Sequence, residues 1–356
     1  MRVGIVGTGT TFGVADLHAA ALLRIPGVQI GAVYTRRAAK GKEFVHRHGL
    51  TAAVCGSYEE LLEKSDGVCI CSPNYTHAAY ALKALQAGKG VLCEKPVEGS
   101  EEELRLLLKE AEKQKAGHMA GFNYRYSWEN RKLRELTEQG RLGQIYTFYQ
   151  RKGGSRLADE NVPYEWRMDR EKSFLGAAID FGSHMLDNFL YIGNYAPEEV
   201  SVSAAQMETY IKRRKADSQS QLEAEENLNY GGYREVTTDD TALLILETKD
   251  GGRAALDCSR IGCGFEEIQV VGSKGAAFFT QAEPDKLYLW EKDEAGRFPG
   301  KPSVLQKEAG AEEDTYYLQA CDWIQAVREG KELPCSLELA CREAFLFREI
   351  AMKAFC

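Results

Sequence analysis

The sequence predicts an α/β protein with two domains. An N-terminal doubly wound parallel sheet is expected over residues 1–122, and a C-terminal α+β domain with a large, mostly antiparallel open sheet over residues 123–356. In the first part, short apolar runs alternate with helical segments, which is typical of parallel sheets. After residue 122, β-branched and aromatic strands are joined by short turns, such as residues 249–252, which indicates antiparallel pairing. A length of 356 residues suits two domains.

Composition narrows the classes of partner. The formal net charge of -8 argues against nucleic acid or an anionic membrane, since both reward clustered Lys and Arg. No apolar run approaches the ~18 residues that a membrane span needs. An apolar strand starts within two residues of the N-terminus and leaves no room for a signal peptide. We therefore expect a cytoplasmic protein that binds a small molecule.

The ten cysteines show no spacing of a metal site or a disulfide ladder. Cys69 and Cys71 alternate along a strand, Cys258 and Cys263 have no histidine nearby, and none forms a C-x-x-C pair. We expect reduced thiols that act as small hydrophobic residues, and no metal.

A strand, a glycine turn and a helix open the chain. The apolar run of residues 2–6 ends in Gly7 and Gly9, and helical periodicity follows over residues 14–23. Glycines let the backbone approach a pyrophosphate, and the helix N-terminus supplies free N–H groups. The turn is predicted to bind a dinucleotide, together with Thr10, Thr11 and Phe12; a purely structural turn is the alternative. The third glycine of the fingerprint is absent, because Phe12 holds its place.

The end of the second strand bears on which dinucleotide is bound. An acid there would accept hydrogen bonds from a ribose 2′-hydroxyl, whereas basic residues accommodate a 2′-phosphate. Thr35, Arg36 and Arg37 occupy this position. They favour NADP over NAD, although arginines at the start of a helix can equally be solvent-exposed.

Two further segments leave the predicted sheet at its carboxyl edge, where ligands bind in parallel α/β sheets. Glu94, Lys95 and Pro96 follow the strand of residues 90–93, and a lysine there can hydrogen-bond an oxygen that acquires negative charge. A solvated strand end is the alternative.

The second segment contains Ser72, Pro73, Asn74 and His77. Its polar groups could hold the nicotinamide half of a cofactor. An N-cap region with His77 in the first helical turn is an equal alternative.

A polar stripe marks the second domain. Asp180, His184 and Asp187 recur at helical spacing within apolar residues. His184 has a suitable unperturbed pKa for a general base, and a carboxylate one turn away can orient it. An internally satisfied Asp–His pair is the alternative. Residues 212–235 are charged and lack periodicity, which predicts a loop or a marginal helix.

Taken together, these segments resemble the glucose-fructose oxidoreductase and inositol 2-dehydrogenase family, Gfo/Idh/MocA. The resemblance rests on Gly7-x-Gly9, Pro73-Asn74-x-x-His77, Glu94-Lys95-Pro96, Gly121-Phe122-Asn123 with Arg125, Trp166-Arg167 and Asp180-x-x-x-His184. It implies a Rossmann domain followed by a domain whose open sheet serves oligomerisation, as a homodimer or homotetramer. The family's lysine, aspartate and histidine correspond to Lys95, Asp180 and His184. The glycine turn departs from the family pattern by three extra residues after Gly9.

The resemblance implies an NAD(P)-dependent dehydrogenase that moves a hydride between nicotinamide and a secondary alcohol carbon of a sugar, cyclitol or related polyol. His184 would be the general base, Lys95 would bind the developing alkoxide, and Asp180 would orient substrate or imidazole. Candidates for recognising other hydroxyls are Tyr126, Trp166, Arg167 and Asp187. Two alternatives stay open: an NAD-dependent glycosidase that acts by transient oxidation and elimination, and a nucleotide-sensing protein without turnover.

Overall fold

In the computed structural model, which describes residues 1–9, 13–114, 117–216, 232–310 and 312–355, the chain divides into two units. The first contains residues 1–126 and 312–344, and the second contains residues 127–311 and 345–356. This division differs from the expected one at residue 122, because a C-terminal segment returns to the first unit. Periodicity shows that a segment is helical, but it does not show which sheet the apolar face covers.

The first unit is built on a six-stranded parallel sheet of order β3-β2-β1-β4-β5-β6. The order reverses between β1 and β4, which creates the crevice where parallel sheets bind ligands. Its strands are β1 (Arg2–Val6), β2 (Gln29–Tyr34), β3 (Ala53–Val54), β4 (Gly67–Ile70), β5 (Gly90–Cys93) and β6 (His118–Ala120). Strand β4 is buried throughout and β5 at every residue but its first, as expected for a sheet that helices cover on both faces.

Five helices connect these strands: α1 (Val14–Leu23), α2 (Ala38–Arg47), α3 (Tyr58–Glu63), α4 (His77–Gln86) and α5 (Glu101–Gln114). Ser57 caps the start of α3, since its side chain accepts from the backbone N–H of Glu60 at 3.1 Å. The returning helix Thr315–Glu329 buries Trp323 completely, and its indole N–H donates to the carbonyl of Gly117. This packing explains why the C-terminal segment belongs to the first unit.

The second unit is built on an eight-stranded sheet of order β16-β15-β14-β13-β7-β12-β11-β8. Its pairs are antiparallel except β7 with β12, which are parallel. The strands are β7 (Ile145–Gly153), β8 (Val200–Glu208), β11 (Thr241–Thr248), β12 (Arg253–Ser259), β13 (Phe265–Gly272), β14 (Gly275–Thr280), β15 (Lys286–Glu291) and β16 (Ser303–Gln306). Alternating burial along β11 and β12 shows that one face covers the core.

Helices cover that buried face. They are α6 (Trp128–Glu138), α8 (Ala177–Asp180), α9 (Gly182–Gly193) and the last residues of the helix Leu337–Phe355. The short helix α7 (Arg170–Ser173) precedes α8 along the chain. In this core the ring centroids of Phe148 on β7 and Phe189 on α9 lie 5.3 Å apart. The fold class predicted from the sequence, a parallel sheet followed by a large and mostly antiparallel sheet, is confirmed.

The charged segment of residues 212–235 contains two short strands that were expected to be loop or helix. β9 (Arg213–Lys215) and β10 (Tyr233–Glu235) pair as an antiparallel ribbon. Residues 217–231 lie outside the described part of the chain. Among the described helices, none combines the length and apolar character that crossing a membrane requires.

Candidate active site

The glycine turn after β1 has the geometry that close approach of a ligand requires. Gly7 has φ +85°, and a Cβ atom there would lie 2.6 Å from the Cα and N atoms of Ser72. A Cβ on Gly9 would meet nothing within 4 Å among the described residues. The backbone at Gly9 is therefore open, as a pyrophosphate site needs. Thr10, Thr11 and Phe12, which were also predicted to bind the cofactor, lie outside the described residues.

The residues that follow β2 bear on the cofactor's ribose. Tyr34 ends the strand, and its carbonyl accepts from the backbone N–H of Gly7 at 2.8 Å. Arg36 and Arg37 are exposed, and Thr35 is half-buried beside them. The described structure thus keeps two guanidinium groups, and no carboxylate, in the three positions after the strand.

Hydrogen bonds hold the loop of residues 72–77 in place. The hydroxyls of Ser72 and Thr76 lie 2.7 Å apart. His77 Nδ1 lies 2.7 Å from the carbonyl oxygen of Pro96, and its Nε2 lies 2.7 Å from that of Ser72. Burial lowers the pKa of His77, while the two carbonyls oppose that shift. His77 therefore joins this loop to the segment that carries Lys95. Asn74 of the same loop is buried.

The segment after β5 is held by a buried ion pair. The backbone N–H of Glu94 donates to the carbonyl of Ile70 at 2.9 Å. Its carboxylate lies 2.7 Å from Nε2 of His18 on α1, and its other oxygen accepts from the Lys95 backbone N–H at 3.2 Å. Lys95 is half-buried, and its peptide bond to Pro96 is cis.

The pair also shifts both titrations. Burial disfavours the charged form of each group, but the neighbouring groups outweigh burial. The pKa of Glu94 is lowered beside His18, and the pKa of His18 is raised by Cys71 and Glu94. The carboxylate of Glu94 therefore anchors the backbone at Lys95. Sequence reasoning missed His18 because its partner is 76 residues away along the chain.

In the second unit, the predicted polar stripe spans a break between two helices. Asp180 is the last residue of α8, and His184 and Asp187 lie on α9, with Phe181 between the helices. The helical spacing of these three residues predicted one continuous helix, and the break at Phe181 corrects that. Asp180 is half-buried, whereas His184 and Asp187 are 7% and 1% exposed. Burial to this degree is costly for polar groups unless they are satisfied or serve a ligand.

A buried carboxylate from a distant loop holds the start of α8. Asp239 accepts from the backbone N–H groups of Gly176 at 2.6 Å and Ala178 at 2.8 Å. Burial raises the pKa of Asp239, and Arg260 opposes the shift. Arg260 donates to the Asp239 carbonyl at 2.7 Å. A Cβ on Gly176 would lie 1.9 Å from that same carbonyl oxygen, so only glycine fits. Neither Asp239 nor Arg260 carried a sequence signal, because each acts through the backbone.

Three other candidates for substrate recognition fall in different surroundings. Arg167 stacks on the Trp166 ring with its Cζ 4.3 Å from the centroid. Burial lowers the pKa of Arg167, and the facing Asp180 carboxylate opposes that shift. The pair of Trp166 and Arg167 therefore neighbours the stripe on α8 and α9. Tyr126 belongs to the first unit, where its hydroxyl donates to Asp322 at 3.0 Å and burial raises its pKa.

A parallel sheet of this strand order, with an open glycine turn at its switch point, defines a dinucleotide-binding protein. Residues 1–122 match the family described as GFO/IDH/MocA oxidoreductases with an NAD-binding Rossmann fold, and residues 130–278 match the GFO/IDH/MocA C-terminal domain. The chain belongs to this oxidoreductase family. The predicted resemblance and the predicted dinucleotide-dependent oxidoreductase are thereby confirmed.

Relatives cover nearly the whole chain. It is 30% identical over 338 residues to glucose-6-phosphate 3-dehydrogenase of Bacillus subtilis (strain 168), covering 92% of this chain and 89% of that protein. It is 26% identical over 337 residues to inositol 2-dehydrogenase of Rhizobium meliloti (strain 1021), covering 94% and 90%. The solved structure of levoglucosan dehydrogenase in complex with NADH and levoglucosan has the same fold, with a TM-score of 0.84, 21% identity, and coverage of 99% and 97%.

Proposed function

We propose that this protein is a dehydrogenase or reductase that acts on a secondary alcohol or ketone carbon of a sugar, cyclitol or related polyol. The observation that carries the proposal is the anchored Lys95 at the carboxyl end of β5 in the dinucleotide-binding unit. The names of the relatives, which are dehydrogenases of glucose 6-phosphate and inositol, support the substrate class. Bound nicotinamide supplies the hydride acceptor or donor.

In this proposal each polar group has one task. Lys95 donates a hydrogen bond to the substrate oxygen as that oxygen gains negative charge. His184 takes the hydroxyl proton as general base in the oxidation, and returns it in the reduction. Asp180 orients the substrate or the imidazole. Buried Asp187 and the stacked Arg167 are candidates for the remaining hydroxyls.

The residues after β2 support a preference for NADP. Arg36 and Arg37 are exposed, and neither they nor Thr35 offers the carboxylate that would bind a ribose 2′-hydroxyl. We expect kcat/KM to be higher with NADP than with NAD. Arg36→Asp should reverse that order, whereas Arg105→Asp, the same change of charge at an exposed position of α5, should leave it unchanged. An unchanged ratio in Arg36→Asp would contradict the preference.

Turnover tests the proposed roles. Reduced-nicotinamide absorbance is followed with NAD and NADP against hexoses, sugar acids and inositols, and the best substrate is used for the variants. Lys95→Ala and His184→Ala should each lower kcat at least about 100-fold, within the range of general acid–base catalysis. Lys113→Ala and His46→Ala, at exposed positions, are the matched controls.

The same assay separates the alternatives. Near wild-type turnover in Lys95→Ala or His184→Ala would refute the assigned roles. Glycoside cleavage without net change in the reduced cofactor would identify the glycosidase. Cofactor binding without turnover across the panel would identify the sensing protein.

We also propose that the outer face of the eight-stranded sheet joins copies of this chain as a homodimer or homotetramer. Large apolar side chains stand on that face, with Tyr149 48% and Leu243 41% exposed. Exposed apolar residues on a sheet face are typical of an interface. Light scattering after size exclusion should give a multimer that Tyr149→Glu dissociates. Tyr210→Glu, 63% exposed but outside that sheet, should not. A monomeric wild type would refute the proposal.

A further inference from the structure

A cluster of nitrogen and sulfur ligands lies in the first unit, apart from the groups assigned above to substrate. One ligand atom each from His18, Cys69 and Cys71 lies within 4.8 Å of the others. His18 comes from α1, Cys69 from β4, and Cys71 follows β4 directly. Spacing along the chain gave no sign of this group, because the histidine lies on a different element from the cysteines. We propose that these three residues form a binding site for Zn²⁺.

The two sulfurs are already at the separation that zinc requires. Cys69 and Cys71 are two residues apart along an extended chain, so their side chains point to the same face. Their Sγ atoms lie 3.6 Å apart and share an S–H···S hydrogen bond. With Zn–S bonds of about 2.3 Å, two thiolates of a tetrahedral site are about 3.8 Å apart. A cation would therefore take the place of both thiol protons, which are released to solvent, with little movement of either side chain.

One ring nitrogen of the histidine is left for a metal. Nε2 of His18 faces the carboxylate of Glu94 at 2.7 Å, and because a carboxylate accepts, Nε2 carries the proton. In the neutral imidazole, which is the form that binds a metal, Nδ1 is then the nitrogen with a lone pair, so Zn²⁺ would take the place of the second proton of the His18–Glu94 ion pair. The ring is 0% exposed, and Nδ1 has no hydrogen-bond partner among the described residues. A ligating histidine typically donates its other N–H to a carboxylate, which is the arrangement seen here.

The chemistry of the donors selects the metal. Thiolate and imidazole ligands suit zinc and disfavour Mg²⁺ and Ca²⁺, which need oxygen. Two thiolates neutralise the charge of the cation, so the site can be buried without a net charge. Cys71 is half-buried, which leaves a path for entry, and the fourth position of the tetrahedron is left for water. Packing of small hydrophobic residues would account for the two thiols, but not for the unpartnered Nδ1.

Cobalt(II) substitution tests the site independently of turnover. The reduced full-length protein is freed of metal with a chelator, titrated with Co²⁺ as a spectroscopic substitute for Zn²⁺, and passed through a desalting column. We expect about one Co²⁺ retained per chain, with thiolate-to-cobalt charge-transfer absorption in the near ultraviolet that stoichiometric Zn²⁺ displaces. Absence of this absorption in folded protein would overturn the proposal.

Variants assign the ligands. Cys69→Ser and Cys71→Ser should each remove most of the charge-transfer absorption, and His18→Gln should weaken Co²⁺ binding about tenfold or more. Cys55→Ser changes a thiol that is also buried but lies outside the cluster, and it should bind Co²⁺ like the wild type. Absorption that survives Cys69→Ser and Cys71→Ser would place the metal elsewhere and refute the site.

A measurement on the wild type covers variants that fail to fold. Zn²⁺ should protect Cys69 and Cys71 from alkylation by N-ethylmaleimide under mildly destabilising conditions, as read by peptide mass spectrometry, while Cys55 and exposed Cys263 react at unchanged rates. Equal alkylation with and without Zn²⁺ would refute the proposal. The outcome is separate from the proposed function, because no substrate or nicotinamide is present.

Discussion

Removal of the Asp239 carboxylate tests how the second unit positions its polar stripe. In Asp239→Ala, the backbone N–H groups of Gly176 and Ala178 lose their acceptor at the start of α8. Asp180 ends that short helix, and the Phe181 backbone N–H, which donates to Ala177 at 3.0 Å, leads into α9. The perturbation therefore reaches Asp180 and His184 through the backbone.

The expected loss of stability follows from the two hydrogen bonds that the charged Asp239 carboxylate accepts. Hydrogen bonds to a charged group contribute about 1.5–3 kcal/mol each, and a buried donor left without an acceptor costs about 1–3 kcal/mol. Burial raises the pKa of Asp239, so desolvation of the carboxylate offsets part of this gain. We expect Asp239→Ala to lower the free energy of unfolding by about 2–4 kcal/mol. We also expect a fall in kcat/KM of about tenfold or more, which corresponds to about 1.4 kcal/mol.

The chain offers a matched control. Asp314 caps the helix Thr315–Glu329 in the same manner, accepting from the backbone N–H groups of Tyr316 and Tyr317 at 3.1 Å. Its side chain is 41% exposed and belongs to the first unit, so Asp314→Ala should cost about 1 kcal/mol. Urea unfolding and steady-state kinetics are measured for both variants. If Asp239→Ala costs no more stability than Asp314→Ala and keeps its kcat/KM, the positioning role of Asp239 is refuted.

Two glycines and one histidine give further predictions. Gly7→Ala combines a positive φ with a clash against Ser72, and should lower the free energy of unfolding by about 2–4 kcal/mol in urea titration. Gly9→Ala has open space at its Cβ, so its stability should match the wild type while its affinity for NADPH or NADH falls in fluorescence titration; a change in stability alone would contradict this. Burial lowers the pKa of His118, and its Nδ1 accepts from the Leu337 backbone N–H at 3.2 Å. The pKa of His118 is lower in the folded chain than in the unfolded chain, so as pH falls the unfolded chain takes up the proton at the higher pH. The free energy of unfolding should therefore fall as pH drops below 6.5, by up to about 1.4 kcal/mol per pH unit. His118→Asn keeps an acceptor without titrating, and an equally steep pH slope in that variant would refute the assignment.

Most secondary structure was predictable because local periodicity carries it. The alternation of apolar runs with helical segments located most strands and helices of the first 122 residues. The strands that escaped are short: β9 and β10 have 3 residues each, and β16 has 4. Such strands are too short to show an alternation of apolar and polar residues, and they form because they pair with a neighbouring strand.

The candidate site likewise has residues that the sequence predicted and residues that it did not. Lys95, Asp180 and His184 could be proposed from the sequence, because strand ends and helical spacing are local features that bring chemistry to a surface. Their supports could not be proposed. Glu94 is held by His18 from 76 residues away, and Gly176 by Asp239 from 63 residues away. No periodicity links partners at such separations, so only the folded chain brings them together.

The sequence by itself therefore determined the class of fold, the family resemblance and the residues that offer chemistry. Each of these depends on local pattern and motif order. Tertiary structure decided which unit the helix Thr315–Glu329 joins, where the polar helix breaks, and which buried groups orient Lys95 and Asp180. It also brought His18 to Cys69 and Cys71. These outcomes depend on contacts between distant segments, which are set when whole elements pack and not by the residues next to them along the chain.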